Sequence, residues 1–246
     1  DDELYYRMLH LYKKDWITQV SLDQRPYKFT CLNRADKSWR RIYASNLHAL
    51  GLLNEAQFSY TGYQYETSSN NEEDLQAWLD NVDLDNQTEI YSSFSMQIPF
   101  KCDSLTDAQH NDHKLVQSTH HLDSYWNFIV ETHFDQDTCF LTEKTFKCIL
   151  NLQPFIVVGS AGSLKLLHHL GYKTFSDIIN ERYDDEKDPY QRMTELIHLS
   201  YSIADRGHKD QRIMTKIMTP ILKYNQTKFL APKTQRIMNL LNKLEY

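Results

Sequence analysis

Apolar residues recur with two different periods in the central part of the chain, residues 125–175. Two short, largely apolar runs, Asn127–Val130 and Phe155–Val158, are typical of buried strands. Between them, apolar residues at three- and four-residue spacing predict a helix with Thr142 as its N-cap and an end near Pro154. This order of elements predicts a βαβ unit, whose ligand site lies beyond the carboxyl ends of its strands.

The same alternation occurs earlier in the chain. Tyr27–Leu32 is predicted to be a strand, and a helix that Ser38 caps and Gly51 ends follows it. Gln57–Tyr60 is the next expected strand. Two such units predict an α/β fold with a mainly parallel, Rossmann-like sheet flanked by helices.

The remaining segments predict extra helices at both ends of this sheet domain. We divide the chain into an N-terminal helix and connector (1–26), a Rossmann-like domain (27–208) and C-terminal helices (209–246). We interpret the first segment as the end of a missing or reduced N-terminal domain. Further expectations are a loop at Thr61–Asn71, a helix at Glu72–Leu84 and an irregular strand or loop at Ile90–Phe100. Towards the C-terminus we expect a helix at Gln191–Ala204 with Tyr201 on the same side as its apolar residues, then one or two helices, broken near Pro232, with Ile213, Ile217, Ile221 and Leu222 on their apolar face.

Composition narrows the functional classes. The net charge of −6 argues against a surface built chiefly for nucleic acid backbone, although it does not exclude a local basic cleft. No apolar run approaches the ~20 residues that span a bilayer. The four cysteines have no metal-ligand spacing and do not suggest a disulfide framework, which favours a reducing, cytoplasmic location.

The segment Phe140–Phe146 (FLTEKTF) resembles the (S/T)-E-K-x-F signature of nucleotide-sugar glycosyltransferases of the GT-B fold. It is similar to the donor-binding half of α-1,3-fucosyltransferases and exostosin-like enzymes, and to glycosyltransferase-like proteins of phages and marine microbes. Glu131 at a strand end and Gln153–Gly159 fit the same pattern, and Tyr27–Arg34 resembles that domain's first strand with its phosphate-facing loop. The resemblance covers roughly residues 27–184.

The resemblance implies a metal-independent enzyme without a cofactor, which moves a sugar from a nucleotide-sugar donor to an acceptor. Lys144, in the first turn of a helix, would contact the donor phosphates, and Glu143 would accept hydrogen bonds from the ribose. An arginine from the upstream unit would form a fork on the phosphates. The predicted donor-binding residues are Asn33, Arg34, Arg40, Arg41, Glu131, Thr142, Glu143, Lys144 and Ser160.

Several alternatives stay open at this stage. Glu143 and Lys144 also suit a simple charged first turn, and Glu131 also suits a loop cap. The acceptor class extends over glycans, proteins, lipids and modified nucleobases, and no catalytic base is identified. The alternative function is a non-catalytic α/β module that binds a nucleotide or another protein. The histidines at 110, 113, 120 and 121 have irregular spacing, so we predict no metal site.

Overall fold

A parallel sheet forms the centre of the protein. The computed structural model describes residues 17–63, 72–102 and 118–231. Its strands are β1 (Tyr27–Ala35), β2 (Ala56–Tyr63), β3 (Ser124–Val130) and β4 (Phe155–Val158). All pairs are parallel, in the order β2-β1-β3-β4. The predicted Rossmann-like α/β architecture is therefore confirmed.

Helices supply the connections and cover the sheet. The α-helices are α1 (Ser38–Ala49), α2 (Glu72–Asn81), α3 (Gln87–Ser95), α4 (Ser118–Asp123), α5 (Glu143–Leu150), α6 (Ser163–His169), α7 (Pro189–Ala204) and α8 (His208–Leu230). Two short 3₁₀ helices lie at Leu52–Glu55 and Arg182–Asp184. Among the described residues, no helix is both long and apolar enough to cross a membrane.

The core is built from aromatic and β-branched side chains of the central strands. Phe29 of β1 stacks on Phe128 of β3 with ring centroids 4.3 Å apart. All four residues of β4 are buried, as expected for a strand covered on both faces. The indole N–H of Trp126 donates to Gln211 Oε1 at 3.0 Å, which attaches the start of α8 to the sheet.

The strand order defines where a ligand site belongs. From β1 the chain passes through α1 to β2 on one side of the sheet, whereas from β3 it passes through α5 to β4 on the other. The direction of travel therefore reverses between β1 and β3. In open parallel sheets, the crevice beyond the carboxyl ends of such a strand pair is the usual ligand site.

Several local predictions are wrong. The first part of Ile90–Phe100, up to Ser95, belongs to helix α3, because Phe94 turns inward and stacks on Phe100. Phe100 itself forms an isolated antiparallel bridge with Tyr60 of β2. Lys37, rather than Ser38, is the N-cap of α1. Tyr201 of α7 is exposed.

The core face of α8 also differs from the prediction. Ile213 and Ile217 are exposed, and Met214 and Met218, one position further along, are buried in their place. Leu222 is buried and Ile221 packs partly buried against the core, as expected. The predicted N-terminal helix, most of the Thr61–Asn71 loop, the 103–117 segment with its two histidines, and the helix break at Pro232 lie outside the described residues.

Candidate functional site

A buried carboxylate joins the end of β3 to the start of α5. Glu131 is fully buried, and its side chain accepts hydrogen bonds from the backbone N–H and the hydroxyl of Thr142 at 3.0 and 2.6 Å. The Thr145 hydroxyl donates to it at 3.1 Å. Thr142 also accepts from the Lys144 N–H at 3.4 Å, so the predicted N-cap is confirmed. Glu131 therefore fixes the helix N-terminus against the strand.

Lys144 reaches from α5 back over the carboxyl end of β3. Its ammonium Nζ donates to the carbonyl oxygen of Val130 at 2.7 Å. Burial, together with the smaller effect of the positive charge of Arg40, lowers the pKa of Lys144 to about 8, against the opposing effect of Glu131. The lysine charge is therefore held in a place where water stabilises it poorly.

Arg40 approaches the same carbonyl from α1. Its guanidinium donates from Nη2 to the carbonyl oxygens of Glu131 (3.0 Å) and Val130 (3.5 Å), and from Nη1 to that of Ala35 (3.1 Å). Its side chain is buried. Lys144 and Arg40 thus bring two positive charges to one oxygen atom, at the crevice between β1 and β3.

Asn33 and Ser160 add polar groups at the carboxyl ends of β1 and β4. Both side chains are buried, and Asn33 Nδ2 lies 3.2 Å from the sulfur of Cys31. Neither Asn33 Oδ1 nor Ser160 Oγ has a hydrogen-bond partner among the described residues. Buried polar atoms are rarely left unsatisfied, so these two oxygens suit water or ligand donors. Arg34, beside Asn33, is only partly buried.

Arg41 has a structural role instead of facing the crevice. Its guanidinium forms a two-point ion pair with Asp36, and Nη1 donates to the Tyr91 hydroxyl at 3.3 Å. Asp36 also accepts from the Tyr60 hydroxyl at 2.7 Å. The hydrogen bond to Asp36 is the main reason why the pKa of Arg41 is raised. The pair fixes the loop between β1 and α1.

At the glycine-rich turn after β4 (residues 159–162), Asp184 already binds backbone amides that a phosphate would need. The carboxylate of Asp184 accepts from the N–H groups of Leu164 and Lys165 at 2.9 and 3.1 Å. Its carbonyl accepts from Gly162 N at 2.8 Å. An internal carboxylate therefore already occupies the N-terminus of α6, the position at which helices bind anions.

A loop between β3 and α5 lies at the carboxyl end of β3, and a buried arginine that the sequence analysis did not single out anchors it. Arg192 of α7 is buried and donates to the carbonyl oxygens of Phe134 and Gly159, the latter at 3.2 Å. At the neck of the loop, the rings of His133 and Phe140 lie 5.2 Å apart. Phe140 keeps 51% of its surface exposed.

The remaining predicted groups are Glu143, which stands next to Lys144 on α5, and the histidines. Glu143 lies partly exposed in the first turn of α5. His121 is buried and bonds to Gln153. In the described part of the chain, no group of three or more histidine, cysteine, aspartate or glutamate side chains has an arrangement that could hold a metal ion.

Comparison with known proteins adds no relative: no family model, no curated protein and no solved structure matches this chain.

Proposed function

We propose that this chain binds a nucleotide-sugar donor and transfers its sugar to an acceptor, as a metal-independent glycosyltransferase or as its donor-binding domain. The observation that carries the proposal is the convergence of Lys144 and Arg40 on the Val130 carbonyl oxygen, at the reversal point of the sheet. Two cations that converge on one backbone oxygen at this crevice favour an anionic ligand.

The chemistry of sugar transfer matches this charge distribution. A nucleotide-sugar donor loses its sugar as negative charge grows on the departing phosphate, so fixed positive charge stabilises the transition state. Lys144 uses one of its three N–H donors on Val130, which leaves donors for phosphate oxygens. Arg40, which is buried on backbone carbonyls, supplies charge and holds the crevice in shape.

The other polar residues suit the sugar and nucleoside parts of the donor. Arg34 takes the role of phosphate fork, because Arg41 is committed to Asp36. Asn33 Oδ1 accepts a hydrogen bond from a donor hydroxyl, and Glu143 accepts from the ribose. Phe140 offers an exposed ring on which the base stacks. Glu131 and Thr142 act indirectly, since their side chains hold the helix that carries Lys144.

The second candidate is a non-catalytic α/β module that binds a nucleotide or another protein. It is favoured by the backbone partners of Arg40 and by the Asp184 cap on α6, which make part of the polar architecture structural. The two candidates differ in whether bound nucleotide-sugar is turned over. The acceptor, in this proposal, is a glycan, protein, lipid or modified nucleobase in a reducing compartment.

Calorimetric titration of UDP, GDP, CMP, ADP and their sugars tests the binding site. We expect one nucleotide family to bind, and Lys144→Met to weaken binding at least about tenfold through loss of a charge-assisted hydrogen bond. Lys147→Met, one turn further along α5, is the matched control and retains affinity. Release of nucleotide from the bound nucleotide-sugar, with and without added acceptors, then separates an enzyme from a binding module. Binding that Lys144→Met leaves unchanged would refute the assignment of the site.

A further inference from the structure

Helix α8 carries apolar side chains on two faces. Its inner face, which includes Met214, Met218 and Leu222, packs into the core. On its outer face, Ile213, Ile217 and Tyr224 keep 48%, 57% and 44% of their surfaces exposed. At 100° per residue these three side chains fall within a narrow sector, so they form one stripe along the outer face. We call them the outer stripe.

Positive charge borders the outer stripe. Helix α8 contains one acidic residue, Asp210, and five basic ones: Lys209, Arg212, Lys216, Lys223 and Lys228. Lys173, from the turn after α6, adds a further cation, with its ammonium 4.5 Å from the centre of the Tyr224 ring. The whole chain has a net charge of −6, so this concentration of cations is a local feature of one surface.

We propose that the outer face of α8 docks onto an anionic lipid surface. An apolar stripe flanked by lysine and arginine is the pattern of helices that lie in the membrane interface, with isoleucine and tyrosine below the headgroups and cations among them. At 1.5 Å per residue, the 23 residues of α8 form a rod of about 35 Å, long enough for several such contacts.

Charge decides between a lipid surface and a second copy of the chain. Two α8 helices packed through their outer stripes would bring two clusters of five basic side chains together, and like charges across an interface oppose association. Anionic headgroups neutralise the same cations instead. The inference is independent of the proposed sugar transfer, because no residue of the crevice takes part in it.

Vesicle sedimentation of the full chain tests the inference. We expect binding to vesicles of phosphatidylcholine with phosphatidylglycerol, little binding to phosphatidylcholine alone, and weaker binding as salt is raised. Ile217→Glu should lower the vesicle affinity at least about tenfold. It removes an isoleucine that membrane binding would bury in the lipid, and it adds a negative charge that the anionic headgroups repel. Combined Lys216→Glu and Lys223→Glu changes should lower it by a similar or larger factor.

Matched controls distinguish the outer stripe from general surface effects. Met96→Glu removes an exposed apolar side chain that lies after α3, and Lys187→Glu reverses an exposed charge before α7. Both controls should bind vesicles as the parent does, and all variants should retain the parent's circular dichroism spectrum. The inference fails if the parent does not bind anionic vesicles at low salt, or if Ile217→Glu and Met96→Glu change the vesicle affinity by the same factor. It also fails if Ile217→Glu instead abolishes a dimer seen by sedimentation.

Discussion

The backbone N–H and the hydroxyl of Thr142 both donate to the carboxylate of Glu131, at 3.0 and 2.6 Å. This pair joins the residue that directly follows β3 to the N-cap of α5, across the loop of residues 132–141. The helix that carries Lys144 is therefore positioned by a buried carboxylate, both of whose oxygens already accept hydrogen bonds from Thr142 or Thr145. The carboxylate therefore positions the crevice residues without contacting a ligand itself.

The first prediction concerns the stability that this carboxylate provides. Glu131→Ala should lower the free energy of unfolding by about 2–4 kcal/mol, because it leaves buried donors of Thr142 and Thr145 unsatisfied. Glu131→Gln keeps the shape and one acceptor oxygen, and should cost about 1 kcal/mol. Urea unfolding followed by circular dichroism measures both. Equal losses for the two variants would contradict a hydrogen-bonding role for the carboxylate.

The second prediction concerns the buried charge of Lys144. Its pKa in the folded protein is about 8, below the ordinary 10.5, so the folded state disfavours the ammonium relative to the unfolded chain. The resulting penalty is fully present below pH 8 and disappears as the pH rises towards 10.5. Lys144→Met should therefore stabilise the unliganded protein at neutral pH, by an amount on the order of 1–3 kcal/mol after loss of the Val130 hydrogen bond.

Urea unfolding at neutral and at alkaline pH measures this effect. The advantage of Lys144→Met over the parent should shrink at about pH 10, where the parent lysine has lost its proton in the folded state. Lys147→Met is the control on the same helix. If the difference in unfolding free energy between Lys144→Met and the parent is the same at both pH values, the folded protein does not disfavour the charged form of Lys144.

The third prediction links the same pKa to ligand binding. If the ammonium of Lys144 holds the donor phosphates, nucleoside diphosphate affinity should fall as the pH rises through about 8, because the unliganded site then loses its charge. Calorimetry between about pH 7 and pH 9 measures the trend. Lys144→Met should bind more weakly and show a flatter pH profile over this range. If the affinity of the parent depends as little on pH as that of the variant, Lys144 does not bind the donor phosphates.

Periodicity predicted the elements whose apolar residues follow a clear pattern, such as β3, α5 and β4. It failed where contacts between distant residues determine the secondary structure or the face of a helix that is buried. The mixed aromatic and polar segment at Ile90–Phe100 lacks strong helical spacing, yet it forms α3 because Phe94 stacks on Phe100 beneath β2. On α8, both the inner and the outer face are apolar, so spacing alone offered no basis for choosing between Ile217 and Met218.

The candidate site was predictable only in outline. Residues near strand ends, such as Asn33 and Lys144, can be expected at the same sheet edge once a parallel order is assumed. Which cations face a crevice depends on partners that are distant in sequence. Arg41 pairs with Asp36, five residues earlier, and with the distant Tyr91, whereas Arg40 reaches carbonyl groups some 90 residues away at the end of β3, and charge spacing alone does not tell the two arginines apart. Arg192 is equally unpredictable, since its carbonyl partners come from three separate turns.

The fourth prediction concerns the remote cap of α6. Asp184→Ala should lower the free energy of unfolding by about 1–2 kcal/mol, because the N–H groups of Leu164 and Lys165 lose their acceptor and the helix dipole loses a charge. Asp184→Asn retains one acceptor and should cost less. Asp185→Ala is the matched control, because this neighbouring carboxylate is exposed and forms an ion pair with the equally exposed Lys165. Thermal unfolding that is equal in Asp184→Ala and Asp185→Ala would contradict the capping role.

The last prediction concerns acid stability and the buried imidazole of His121. Burial lowers its pKa to about 4 from the ordinary 6.5, while its hydrogen bond to Gln153, 2.5 Å from Nδ1 to Oε1, opposes the shift. Between these two pH values the unfolded chain binds a proton that the folded protein does not. Folding stability should therefore fall as the pH drops from 6.5 to about 4, with a contribution on the order of 3 kcal/mol from this group.

A variant isolates that contribution from the carboxylates that titrate over the same range. His121→Asn keeps a donor near Gln153 but cannot be protonated, so its free energy of unfolding should depend less steeply on pH than that of the parent. The exposed His169, changed to asparagine, should leave the parent slope unaltered. Urea unfolding at about pH 4.5, 5.5 and 7 gives the pH dependence of the unfolding free energy for the parent and for each of the two variants. If His121→Asn is as acid-sensitive as the parent, the imidazole is already protonated in the folded protein, and its bond to Gln153 is the charge-assisted kind.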